Sequence, residues 1–408
     1  MRVLLSDGSG LTARQCATLL SKAGHTVEAL SPEPLCLCRC TRHVRRVHRV
    51  PSIGTDPFGW LDAALAIYQR GGFDVLLPTQ EQVAVLASAP DRLRAAGVAT
   101  AVPAFDAVAR VQDKLSAFAT LTELALRQPA STVITSAAEL AGWRDFPSYL
   151  KVPIGTASAG VCRVRSAVEL AALPSSWAAA ADNGRLLAQR FVPGNLAMVQ
   201  AVFDHGRLVA CHANERVREG AGGGASLKRS LDLPAVREQM GRLGEGLAWH
   251  GALSADVILG PDGPVFIDIN PRLVEPMNAW RSGVDLVGAL LDIALGRPTA
   301  QQPPGTPGVR THQLLLAILG AAGRRGLRRD VLGEIVTALT GRSDYAGSTE
   351  ELTPRPWADP RSLAVLVAAS AAVLVRPATG RWFSGGSVAA YALTPEAWHL
   401  LQAVRRTV

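Results

Sequence analysis

An α/β unit joined to an α+β unit is the architecture to expect of this chain. It should hold an N-terminal doubly wound parallel sheet, then a mixed domain of strands and helices, then a mainly helical C-terminal region. Three observations lead there. Strands and helices alternate over the first hundred residues, which is the rhythm of a parallel sheet covered on both faces. From "FPSYLKVPIGTASAGVCRV" onward the pattern turns to strands broken by glycine loops. A Pro/Gly-rich stretch, "PTAQQPPGTPG", then separates a tail that reads as helical with irregular joins.

Taken in order, "RVLLSD" is a short apolar strand, "GSGLTARQCATLLSKAG" a glycine turn and amphipathic helix, and "HTVEALS" a second strand. A helix is expected around "DPFGWLDAALAIYQRGG", a strand at "FDVLLPT" and one further helix at "QEQVAVLASAPDRLRAAG". "PLCLCRC" alternates Cys36, Cys38 and Cys40, which predicts a strand with three thiols on one face. It lacks a CxxC knuckle, and free cysteine packs well as a small hydrophobe. Residues 108–126 predict a single helix leading into the next unit. Four strand-like runs follow between 186 and 270, interrupted by the helix "DLPAVREQMGRLGEGLAWHG", and "ERVREGAGGGASLKRS" reads as a mobile glycine-rich flap. The expected domains are 1–107, 108–300 and 301–408.

Bulk properties narrow the function. A chain of 408 residues, 48% hydrophobic and only 19% charged, buries a sizeable core. The net charge of +8 attracts anions, yet no basic run is interleaved with aromatics, so no nucleic-acid partner is expected. Six cysteines in a chain this long do not make a disulfide framework. "MRVLLSDGSG" lacks the charged leader and apolar core of an export signal, and "SLAVLVAASAAVLV" is shorter than the ~20 residues a bilayer span needs. A cytoplasmic protein without a membrane partner is expected. The apolar stretch is then a buried helix or a subunit contact, and a homodimer is one arrangement it allows.

Chemistry concentrates in a few places. Lysine occurs only at Lys22, Lys114, Lys151 and Lys228, in a chain that otherwise uses arginine. Lys22, at a helix end, suits the helix dipole. Lys151 closes the strand "SYLK" just before the loop "VPIGTASAG", and a lysine beside a glycine- and hydroxyl-rich loop can wrap a polyphosphate. "LLPTQE" is a strand end in a parallel sheet, so Glu81 should look into a cleft. In "VFIDINPRLVEP", Asp268, Asn270 and Arg272 alternate with Ile267 and Ile269, which puts the polar three on one strand face. Asp256 lies twelve residues before Asp268, with the turn "GPDG" between, so an antiparallel hairpin should bring them together. Two carboxylates and an amide oxygen form the hard donor set that holds Mg²⁺ beside nucleotide phosphates.

These pieces, "VLLPTQE", "DK", "LKVPIGTASAGV", "LLAQRFVPG" and "SADVILGPDGPVFIDINPRL", resemble in order and spacing the ATP-grasp superfamily, especially its carboxylate–amine ligases, over about residues 1–300. The resemblance implies a pre-ATP-grasp N-terminal domain, a two-lobed ATP-grasp domain (lobes about 108–187 and 188–300), and a mechanism in which ATP and Mg²⁺ (Mn²⁺ able to substitute) turn an acid into an acyl phosphate that an amine captures as an amide or peptide. It assigns Lys114 and Lys151 to the phosphates and Gly155, Thr156, Ser158 and Gly160 to the loop over them. Gln189, Arg190, Phe191 and Val192 match the hinge that reads adenine. Asp256, Asp268 and Asn270 match the metal ligands, Arg272 the arginine at substrate or acyl phosphate, and Lys228 and Arg216 the basic stretch near the transferred phosphate. Asp268 is one methylene shorter than the usual Glu, and "LVEP" replaces a glycine-rich continuation, which makes Glu275 and Asn278, with Glu81 and Arg272, the candidates for substrate recognition. The partners are then a small carboxylate, with an amino acid as one substrate, and an amine. Two competing readings are an ATP-grasp carboxylase working through carboxyphosphate and a nucleotide-binding module that has lost turnover.

Overall fold

The computed structural model describes residues 1–156, 160–352, 356–380 and 387–407. The N-terminal unit is a parallel sheet of β1 (Arg2–Leu5), β2 (Thr26–Ser31), β3 (Arg46–Arg49) and β4 (Val75–Leu77), in the order β3-β2-β1-β4. The helices Leu11–Lys22 and Pro57–Gly71 make the crossovers. Val3, Leu4 and Leu5 are wholly buried, as a strand covered on both faces requires.

Three local expectations change here. "PLCLCRC" is not a strand: Leu37–Cys40 is a 3₁₀ turn. The Cys38 N–H donates to the Gly8 carbonyl at 2.9 Å, and Cys36 and Cys38 pack against Gly8 as small apolar groups. Burial pushes both thiols up. The helix expected over residues 80–97 is two, Gln82–Ala87 and Pro90–Ala95, because Pro90 has no N–H for the helix before it and its ring clashes with that helix's carbonyls, so it can only open a new one. The helix expected at 108–126 also divides, into Phe105–Gln112 and Lys114–Glu123. Asp113 between them is extended, and its carboxylate accepts from the Leu115 N–H at 2.8 Å, so it caps the second helix and sets Lys114 in the first turn.

A small antiparallel sheet comes next, of β5 (Ser131–Ile134), β6 (Ser148–Lys151), β7 (Val161–Val164) and β8 (Leu186–Arg190), ordered β5-β8-β6-β7. It has its own core around Ile134, Leu150, Val164 and Leu186. The larger sheet has seven strands: β9 (Asn195–Asp204), β10 (Arg207–Glu219), β11 (Ala225–Leu231), β12 (Gly251–Gly260), β13 (Gly263–Asn270), β14 (Arg310–His312) and β15 (Thr349–Glu350). Their order is β13-β12-β9-β10-β11-β14-β15. Gly194, at φ 152, makes the passage from the small sheet to the large one; a Cβ there would stand 2.4 Å from the Leu259 carbonyl oxygen.

The stretch read as a flap is a hairpin of β10 and β11 with Arg216 opposite Lys228. Its glycines form only the turn, closed by the Gly220 N–H donating to the Gly224 carbonyl at 2.7 Å. The C-terminal region is mainly helical, with helices Leu314–Arg325, Arg328–Leu339, Pro360–Val375 and Pro395–Thr407. It also lends β14 and β15 to the large sheet. The apolar run 362–375 lies in one of these helices and buries only a stripe, Ser362, Ala369 and Val373, while Val367 and Val375 are exposed. No helix among the described residues is long and apolar enough to cross a membrane.

Candidate active site

The β12–β13 hairpin sets Asp256 opposite Asp268 and Ser254 opposite Asn270, and the turn closes Gly260 on Gly263. Directly opposed residues share a face, so the two carboxylates and the amide stand together. Ala255 and Ile269, one residue away on each strand, are buried in the core on the other side. Burial, and then the charge of Asp268, push the Asp256 carboxyl up to about 6, against the pull of Arg272, Lys151 and Arg216. A recessed carboxyl whose ionisation is disfavoured beside a second carboxylate suits a divalent cation, which would favour the charged form of Asp256. The oxygen donors Asp256, Asp268 and Asn270 fit Mg²⁺ by chemistry.

Lys151, at the end of β6, is 5% exposed and donates from Nζ to the Ile267 carbonyl at 2.6 Å. The lysine of the small sheet therefore reaches the strand that carries Asp268. Burial lowers its pKa, and the charges of Asp268 and Asp256 oppose that. Lys114 donates from Nζ to the Gly155 carbonyl at 3.0 Å, and its N–H donates to the Pro153 carbonyl at 3.0 Å. Both lysines are thus held by main-chain oxygens, Lys114 by the start of the glycine loop and Lys151 by β13. Within the loop, Gly160 has φ 72, and a Cβ there would lie 2.2 Å from a Val152 methyl, so only glycine fits. Ser158 lies outside the described residues.

Glu81, expected to face a substrate, is instead engaged at both oxygens. The Thr156 hydroxyl donates to one at 2.6 Å and the Leu393 N–H to the other at 2.7 Å. It ties the parallel-sheet unit to the loop and to the C-terminal region. The hinge segment leaves β8 with Gln189 buried opposite Tyr149. The N–H groups of Arg190 and Phe191 donate to the carbonyls of Ala130 and Pro147 at 2.9 and 3.0 Å. The Arg190 guanidinium pairs with Asp145 at 3.0 Å, and the Arg163 guanidinium sits 4.1 Å from the centre of the Phe191 ring. Val192 lies against the hairpin turn at Gly260.

The basic candidates part company. Arg272 stays near the candidate metal ligands, with Nη2 3.5 Å from the Asn270 side-chain oxygen. Arg216 donates to the Gly223 carbonyl at 2.7 Å and pairs with Glu219 at 3.3 Å. Lys228, expected near a phosphate, is fully buried and ion-paired with Glu275 and with Glu351, the latter at 3.2 Å. Burial opposes its charge, but the two carboxylates outweigh that and raise its pKa. Glu351 in turn accepts from the Thr311 hydroxyl at 2.6 Å and from Gln15 at 2.7 Å, and Glu275 accepts from Gln313. Glu275 therefore serves first as the counter-charge of Lys228. Asn278, also expected at the substrate, is wholly buried: its amide donates to Val309 and Thr311 and its oxygen accepts from His212 Nε2 at 2.9 Å. Both of its side-chain groups are already engaged in pinning the post-β13 segment to β10 and β14.

Sequence reading missed Glu351, Gln15 and Gln313, which come from distant segments with no motif around them. It also missed Gln200, Asn214 and Ser254. These three are almost fully buried on the sheet face that carries Asp256 and Asn270, and each has a side-chain atom without a hydrogen-bond partner among the described residues. The only trace in the sequence is a polar residue inside an apolar strand pattern.

No family model and no curated protein sequence matches the chain. Solved structures do. The biotin carboxylase domain of 2-oxoglutarate carboxylase from Hydrogenobacter thermophilus, a dimer in complex with MgADP, ADP and bicarbonate, superposes with TM-score 0.58 at 17% identity, over 76% of this chain and 73% of that one. N5-carboxyaminoimidazole ribonucleotide synthetase from Thermotoga maritima gives 0.55 at 16%, over 74% and 78%. L-amino acid ligase from Bacillus licheniformis gives 0.56 at 15%, over 73% and 75%. The chain has the ATP-grasp fold.

Proposed function

We propose that the protein is an ATP-dependent carboxylate–amine ligase that works through an acyl phosphate, with a small carboxylic acid and an amine as substrates and an amino acid as one of the two. The observation that carries this reading is the register pair Asp256–Asp268, with Asn270 and Arg272 beyond it and Lys151 anchored on the same strand at Ile267. Asp256, Asp268 and Asn270 would hold Mg²⁺, which draws charge from the phosphates when bound.

An acid's carboxylate oxygen attacks the γ-phosphorus, and the bond to the ADP oxygen breaks. The neutral amine nitrogen then attacks the acyl carbon; phosphate leaves and the nitrogen gives up a proton. Lys151, Lys114 and Arg272 counter the charge that builds on the transferred group. The glycine loop, tied at Thr156 to Glu81, keeps water from the acyl phosphate. No side chain is needed as a nucleophile. A protein that works inside the cytoplasm as a homodimer is consistent with this chemistry.

Phosphate release from ATP and Mg²⁺ across a panel of acids and amines tests the proposal. Release that needs both an acid and an amine supports it. Release with bicarbonate alone would move the assignment to carboxylation, and ATP binding without release for any pair would leave a binding module.

A further inference from the structure

Ser254 and Gln200 are register partners across β12 and β9, and Asp256, Met198 and Asn214 form the next row of the same face, running on to β10. At about 4.8 Å per strand, Asn214 stands ~10 Å across the sheet from Asp256. Ser254, Gln200 and Asn214 are each at most 1% exposed. Yet the Ser254 hydroxyl, Gln200 Nε2 and both polar atoms of Asn214 have no hydrogen-bond partner among the described residues, and neither does Arg272 Nε beside them. Gln200 is oriented unambiguously, because its Oε1 accepts from the Val274 N–H at 3.0 Å, which leaves its amide as a donor. Buried polar side chains are normally satisfied. Four such atoms from three neighbours on one face point to a ligand that supplies their partners.

The kind of ligand follows from what the atoms offer. Gln200 provides a donor, Asn214 a donor and an acceptor, and Ser254 either. Of the nearby charges, the ligase reading gives Arg272, Asp256 and Asp268 to the transferred phosphate and its cation, and the rest are already paired. Glu275 and Glu351 hold Lys228, and Arg216 is held by Gly223 and Glu219. We propose that Ser254, Gln200 and Asn214 form the part of the acid-substrate site distal to the phosphate, and that it takes an uncharged carboxamide or peptide group. A second carboxylate or an ammonium would lose its water there without a free counter-charge. A hydrocarbon would leave the donors unpaired, the kind of mismatch such sites reject most strongly. This rests on the ligase reading for the location of the reacting carboxylate.

L-asparagine, L-aspartate and L-leucine have side chains of similar shape that end in an amide, a charge and two methyls. Their binding to the full chain loaded with AMPPNP and Mg²⁺, measured by calorimetry on the parent and on Asn214→Leu, decides the matter. The parent should bind asparagine at least tenfold more tightly than the other two. Asn214→Leu should lose that preference while its AMPPNP affinity stays within twofold of the parent. Should Asn214→Leu fail to fold, Ser254→Ala replaces it and should weaken asparagine binding several-fold. Aspartate or leucine binding as well as asparagine, no binding of any of the three, or a preference that survives both variants overturns the inference and leaves nucleotide binding as evidence for the ligase reading. A parent that fails to bind AMPPNP sinks both together.

Discussion

Lys151 Nζ, which belongs to the small sheet, donates to the Ile267 carbonyl of the large sheet at 2.6 Å, one residue before Asp268. A charge borne by one sheet is thus set beside the carboxylate pair of the other. Lys151→Ala should lower kcat/KM for ATP by about ten- to a hundredfold, the loss of one charge-assisted contact of ~1.5–3 kcal/mol. Steady-state phosphate release at varied ATP measures it. Kinetics equal to the parent's would show that the lysine is no phosphate ligand.

The hairpin register places Asn270 beside the carboxylate pair without making it part of the core. Asn270→Ala should therefore keep the melting temperature within a few degrees and abolish Mg²⁺-dependent turnover. A Mg²⁺ titration of activity, set beside a thermal melt, reads both. An unchanged metal requirement would remove β13 as the ligand platform.

Lys228 is a buried cation between two buried carboxylates. Lys228→Met leaves Glu275 and Glu351 together with no counter-charge, and removal of one partner from such a set costs about 3–5 kcal/mol. Urea unfolding should show that loss. Adding Glu351→Gln to the Lys228→Met variant should recover part of it, because only one buried charge then remains. A Lys228→Met protein as stable as the parent would contradict the cluster.

His43, His212 and His312 are each pushed down to about 4 by burial. Their folded pKa lies below the unfolded value near 6.5, so the unfolded chain binds more protons between those limits. Their contribution to stability is therefore complete above pH 6.5 and is lost as pH falls toward 4, at ~1.4 kcal/mol per pH unit for each group. His212, which donates to Asn278, is the best placed of the three for a test. Urea unfolding between pH 7 and 5 should show falling stability, and His212→Gln should flatten the slope. A slope that rises toward acid would refute the assignment.

Residue alternation alone was enough to find the strand at the centre of the candidate site. The spacing of Asp268, Asn270 and Arg272 demands a shared face on any extended backbone, and "GPDG" supplies the turn that pairs Asp256 with Asp268. Lys151 at a strand end and the glycines after it were legible for the same reason: strand period and turn chemistry are local. Elsewhere local rules failed. The alternating cysteines formed a turn because packing on Gly8, and not their period, governs that segment. Two predicted helices split at Pro90 and Asp113, where a ring and a capping carboxylate decide.

The amino-acid order by itself determined the strand–helix alternation of the first unit, the carboxylate hairpin and the lysine beside its loop, since each depends on neighbours a few residues apart. Only the tertiary structure decided which polar groups are already spent. Glu81 meets Leu393, Lys228 meets Glu351 and Asn278 meets Thr311, while the Asn214 amide has no hydrogen-bond partner among the described residues. Those pairings join segments tens to hundreds of residues apart. A side chain's free hydrogen bonds are set by what the folded chain brings to it, and that is written in no local pattern.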